Sequence, residues 1–139
     1  MNREDIREHT MQVIFQMDAQ GNFDYNNLQP ISENEKAFKK QKSADVLIAL
    51  SDNLHEIDNI ISKNIENWTI DRLPKTELAI LRNAVTEIIY IDSIPVKVSI
   101  NEAVRMAKKY GDEKSYAFIN SVLSKIVKSL DTDNKQADI

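Results

Sequence analysis

The stretch IPVKVSINEAVRMAKKYGDEKSYAFINSVLSKIV, Ile94 to Val127, decides the fold. Pro95 lacks a backbone donor and biases Ile94 towards an extended conformation, so any preceding helix stops before it. Ser99 and Glu102 have the spacing of a capping box, in which the Ser side chain accepts from the third helical N–H and the Glu reaches back. The periodicity predicts a helix that buries Ile100, Ala103, Val104, Ala107 and Tyr110. Gly111 follows, the residue best able to take the left-handed conformation past a helix end. Asp112 is placed to cap a second helix, with Phe118, Ile119, Val122, Ile126 and Leu130 as its apolar stripe. The two helices pack against each other across a tight Gly-Asp corner. Arg105, Lys108, Lys109 and Lys114 surround that corner, with Tyr110 and Phe118 among them.

Working outward, Pro74 or Thr76 opens a helix that reaches about Tyr90, with Leu78, Leu81, Val85 and Ile88 inward. Ile80, Ala84, Ile89 and Ile91 widen its apolar face, so burial on two sides is predicted. Before it, Leu47, Leu50, Leu54, Ile57, Ile61, Ile65 and Trp68 recur at helical spacing and predict one long helix from about Ser43 to Trp68. A first helix over residues 3–19 turns Ile6, Thr10, Val13, Ile14 and Met17 to one side and ends at Gly21. A polar loop broken by Pro30 follows, then a second capping-box candidate at Ser32 and Glu35 opening a short helix to Lys42. Its lysines, Lys36, Lys39, Lys40 and Lys42, read as solvated surface. Residues 131–139 lack periodicity and are expected to be disordered.

Composition narrows the class. Only 2 Gly and 3 Pro leave little turn material for a sheet, which favours helix. No cysteine is present, so disulfides and thiolate metal sites are excluded, and the N-terminus has no apolar signal-peptide core. No membrane association is expected, and a cytoplasmic location is. The net charge of −4 hides a division: residues 1–94 carry −6, residues 95–130 carry +4 and the last nine carry −2. A basic helical unit on an acidic body suits a phosphate backbone. His9 and His55 stand in no ligand spacing, and no phosphate loop, nucleophile elbow or distinguished carboxylate pair occurs. The reading is a chain that is not an enzyme and needs no cofactor.

The Ile94–Val127 stretch, with its INEA run, its Tyr-Gly-Asp corner and its Phe-x-Asn-x-Val-Leu run, resembles the C-terminal signature of the NusB family of bacterial transcription antitermination factors. DRLPKTELAILRNAVTE (Asp71–Glu87) with Trp68, and REHTMQVIFQMD (Arg7–Asp18), are similar to the same family; Gly21 to about Lys42 matches least. The resemblance implies an all-α fold of about seven helices in two small helical bundles sharing a core, divided near residue 70 into segments 1–70 and 71–130. It implies binding of single-stranded boxA RNA in rRNA leader transcripts together with the small-subunit ribosomal protein NusE. It further implies support of processive rRNA transcription within an RNA polymerase antitermination complex containing other Nus factors.

Residue by residue, the resemblance points to an RNA surface of Arg3, Arg7, Lys109, Tyr110, Lys114 and Phe118. The chain departs from its relatives in one respect. Their arginine-rich N-terminus is reduced here to Arg3 and Arg7, interspersed with Glu4, Asp5 and Glu8. A partner surface of Phe15, Asp18, Glu77, Arg82 and Glu87 is implied as well. Two other readings carry less. A helix-turn-helix DNA binder needs a basic recognition helix, whereas the helix after Gly111 is mostly apolar. An rRNA-binding ribosome-biogenesis module related to the N-terminal domain of rRNA cytosine methyltransferases is the alternative within the fold.

Overall fold

Ten consecutive residues, Leu78 to Glu87, are buried in a single helix, which can happen only if other helices cover it all round. The computed structural model describes residues 3–25, 41–66 and 69–137. Among these the chain forms five α-helices and no strand: α1 Arg3–Gln20, α2 Gln41–Lys63, α3 Lys75–Tyr90, α4 Val96–Tyr110 and α5 Glu113–Ala137, with a short 3-10 turn Ile70–Arg72 before α3. The all-α class is as the sequence predicts; the helix number is corrected, to five among the described residues rather than about seven. The helix expected from Ser32 and most of its lysines lie outside the described residues.

Helix α3 is in contact with each of the other four α-helices, and α4 packs along α5 as the corner predicts. One apolar cluster runs from Ile14 and Met17 of α1 through Leu50 and Ile57 of α2 to Leu81, Val85, Ala103 and Leu123. Both halves of the chain therefore share it. Each fully buried Leu or Ile contributes about 1.5–3 kcal/mol by leaving water, so the cluster, and not helix propensity, holds the helices in place.

At the end of α1, Gly21 takes φ 66°, with Gly21 N–H donating to the Asp18 carbonyl and Asn22 N–H to the Met17 carbonyl, a paired closure that a left-handed glycine permits. Asp112 caps α5, accepting from the Ser115 backbone N–H at 2.9 Å. That bond, ahead of the other contacts, holds the Asp112 carboxyl below the usual aspartate range.

Several expectations need correction. The long helix does not reach Trp68: α2 ends at Lys63, where the Asn64 side chain donates to the Ile60 carbonyl at 2.8 Å, and Trp68 is outside the described residues. Asn53, which donates to the Ala49 carbonyl at 2.9 Å, has non-helical φ −129° and kinks α2, because its amide competes for a backbone acceptor. Helix α4 starts one turn earlier than predicted, at Val96 behind Pro95, so Ser99 is not a cap. Its buried face is Ser99, Ala103, Met106 and Ala107, while Val104 is half-buried and Tyr110 exposed. Gly111 is extended, at φ −127°, and not left-handed. Space decides that position: a Cβ there would lie 2.6 Å from the Ser115 side chain and 2.9 Å from the Ala107 carbonyl. Finally, α5 continues as helical backbone to Ala137, past the boundary at residue 130 where the chain was expected to become disordered.

Candidate functional site

The Gly111–Asp112 corner brings the end of α4 and the start of α5 against the start of α3, and a cleft of about 530 Å³ opens between them. Tyr110 from α4, Lys114 and Phe118 from α5 and Glu77 from α3 all line it. Tyr110 is 40% exposed, an unusual state for a large ring, and the Lys109 ammonium lies 5.6 Å from its centroid. Phe118 is half-buried, with part of its ring against the core and part in the cleft. Glu77 is held in position by the Ser115 hydroxyl, which donates to it at 2.6 Å. The cleft thus presents an exposed aromatic, a second aromatic edge, a lysine whose charge acts on the Asp112 carboxylate, and a fixed carboxylate.

Beside it, a chain of charges ties α1 to α3 and α4. Arg7 donates to Glu87 at 3.2 Å and to Glu102 at 3.4 Å. The Ser99 hydroxyl donates to Glu87 at 2.9 Å, and Arg105 bridges Glu102 and Glu8. Lys109 reaches Glu8 at 2.8 Å, a hydrogen bond that holds its ammonium above the usual lysine range. Burial works to raise the Glu8 carboxyl, but the hydrogen bond and charge of Lys109, with Arg105, outweigh it and leave Glu8 below the usual glutamate range. Removing Arg7 would leave the buried Glu87 carboxylate without its cation.

The residues assigned from sequence therefore separate. Tyr110, Lys114 and Phe118 share the cleft with Glu77. Arg7 and Lys109 belong instead to the charge network, and the Arg7 side chain is only 14% exposed. Arg3 starts α1, but its side chain lies outside what the structure describes. Of the partner set, Phe15 is half-buried against the core and Asp18 pairs with Lys75, two residues before Glu77 in the chain, at 3.3 Å. Arg82 and Glu87 are not on the surface: Arg82 makes two 2.9 Å bonds to Asp58 and stacks 4.8 Å from the Phe23 ring, and Glu87 sits beneath Arg7 and Ser99. The acidic side of α3 read from sequence is thus partly internal. Sequence reasoning missed Ser115 and Glu8 as the residues that fix Glu77 and Lys109; the Asp112 cap announces the Ser115 backbone but not its hydroxyl, and Glu8 stands in no recognisable local motif.

Among the described residues no helix is long and apolar enough to cross a membrane, and no group of three or more His, Asp or Glu is disposed to hold a metal. A model of the NusB family matches residues 4–128. The transcription antitermination protein NusB of Clostridium botulinum is 43% identical over 136 residues, covering 92% of this chain and 99% of that one. The structure of T. maritima NusB aligns with a TM-score of 0.75 at 27% identity over 92% of each chain. A chain in the crystal structure of antitermination factors NusB and NusE in complex with dsRNA aligns with a TM-score of 0.70 at 29% identity, covering 91% of this chain and 96% of that one. With nearly the whole described fold matched in sequence and in architecture, the chain belongs to the NusB family, non-enzymatic transcription antitermination factors.

Proposed function

We propose that this protein binds single-stranded boxA RNA of rRNA leader transcripts jointly with the ribosomal protein NusE. In that pairing it keeps RNA polymerase processive within a cytoplasmic assembly that includes other Nus factors. The observation that carries the reading is the convergence of Tyr110, Lys114, Phe118 and Glu77 on one cleft. Splayed bases of a single strand stack on aromatic rings while lysines follow the phosphates, and an exposed tyrosine beside lysines supplies both. Glu77 and the nearby Asp18–Lys75 pair offer an acidic edge to a basic ribosomal protein released from rRNA. The solved complex of related factors NusB and NusE with dsRNA supports a joint protein–RNA surface.

The test is a titration of boxA RNA against the protein alone and against its mixture with NusE. The protein alone is expected to bind weakly and the mixture much more tightly. Equal affinity for boxA and a scrambled strand in the presence of NusE would remove the boxA element of the reading.

A further inference from the structure

On the face of the α4/α5 hairpin turned away from α3, a groove of about 580 Å³ is lined by Asn101, Val104, Arg105 and Lys108 of α4 and by Tyr116 and Asn120 of α5. No carboxylate lines it, in a chain whose net charge is −4. Its contents are those that recognise a nucleotide. The Lys108 ammonium lies 4.9 Å over the Tyr116 ring, so the face of that ring is open to a cation at the surface. Asn101 and Asn120 are exposed, one on each wall, and each amide offers a donor and an acceptor to the edge of a base. Arg105 is clamped by Glu102 and Glu8 through Nε and Nη1, while its Nη2 is buried without a hydrogen-bond partner. A guanidinium clamped in this way gives the groove a fixed wall at Arg105.

We propose that this outer groove holds a nucleotide of a bound single-stranded RNA, its base stacked on Tyr116 and its edge read by Asn101 and Asn120. Lys108 leaves the ring as the base arrives and takes the adjoining phosphate, an exchange made easy because a cation over a ring at the surface is weakly held. The site rests on the RNA-binding reading and extends it. Groove and corner cleft lie on opposite sides of one hairpin, so a strand that passes the Gly111–Asp112 corner meets both. Sequence preference would come from this groove, because the asparagine amides can tell base edges apart, whereas Tyr110 and Lys114 stack and neutralise without reading.

The experiment uses the intact chain, a boxA strand of twelve nucleotides, and the side-chain amide signals of Asn101 and Asn120 in nitrogen–proton correlation spectra. Both signals are expected to move on RNA addition. The double variant Lys108→Ala/Asn120→Ala, at exposed positions, is expected to keep the wild-type Tm and lose about tenfold in affinity. The Lys114→Ala variant, altered only at the corner, is expected to bind more weakly yet keep the Asn120 shift. If RNA binds the wild type and the double variant equally and the two signals stay still, the groove is not a nucleotide site, while RNA binding at the corner stands. If neither protein binds RNA with or without NusE, both readings fall together. If oligoglutamate moves the amide signals and RNA does not, the groove serves an acidic protein and the proposal is overturned.

Discussion

The Ser115 hydroxyl of α5 donates to the Glu77 carboxylate of α3 across 2.6 Å. This single bond joins the residue assigned to the protein partner to the helix that carries Lys114 and Phe118. Glu77 is thus tied to the corner that carries Lys114 and Phe118.

Charge reversal at this point separates the two ligands. Glu77→Lys is expected to lower affinity for NusE at least tenfold, about 1.4 kcal/mol, in calorimetric titration. RNA affinity of the isolated protein is expected not to fall. Undiminished NusE affinity would place the interface elsewhere.

Gly111 tests the corner itself. Gly111→Ala puts a Cβ 2.6 Å from Ser115 and is expected to cost about 1–3 kcal/mol in urea unfolding. In a Ser115→Gly background, which already lacks the bond to Glu77, the same substitution should cost less than in the wild type; an equal cost would point to the Ala107 carbonyl as the limiting contact.

Phe118 stands between core and cleft, so two substitutions are needed. Phe118→Leu keeps an apolar body and is expected to hold the fold while weakening RNA binding by about 1–3 kcal/mol through lost stacking. Phe118→Ala adds a loss of thermal stability. With about four phosphate contacts, the log–log salt slope for a single strand is expected near −3, and a flat salt response would refute the electrostatic part of the account.

Glu8 is expected to contribute to the acid limb of stability. Its folded pKa lies below the ordinary value of 4.5, so folding favours the ionised carboxylate. The contribution is present above about pH 4.5 and is lost as pH falls through the folded pKa, when Lys109 and Arg105 lose their shared acceptor. Glu8→Gln is expected to lower stability at neutral pH and to flatten the decline below pH 4.5 in acid-unfolding curves. A wild-type decline unchanged by the substitution would assign the acid limb to other carboxylates.

What the chain disclosed in advance was whatever repeats every three or four residues. Leu47, Leu50, Ile57 and Ile61 of α2, and Ile119, Val122 and Ile126 of α5, sit where their spacing predicts. The corner cap at Asp112 was legible because its bond is to a residue three places on. Ser99 was misread since its hydroxyl serves Glu87, on another helix, and Pro95 alone suffices to begin α4. Arg82 and Glu87 are buried where spacing suggests surface, for a related reason. Spacing tells which side of a helix is polar, but not that a neighbouring helix covers that side with Asp58 or Arg7. Arg7 and Glu102 are 95 positions apart, and no local pattern can announce such a pair.

The encirclement of α3 has a consequence for amide exchange. Any outer helix can fray or lift while the remaining three still shield the amides from Leu78 to Glu87. Those protons can meet water only when the entire molecule opens, so they should be the last to exchange, all with one common free energy equal to that of global unfolding. The amides of α2 around Asn53, where the ladder is already interrupted, should exchange first among the long helices.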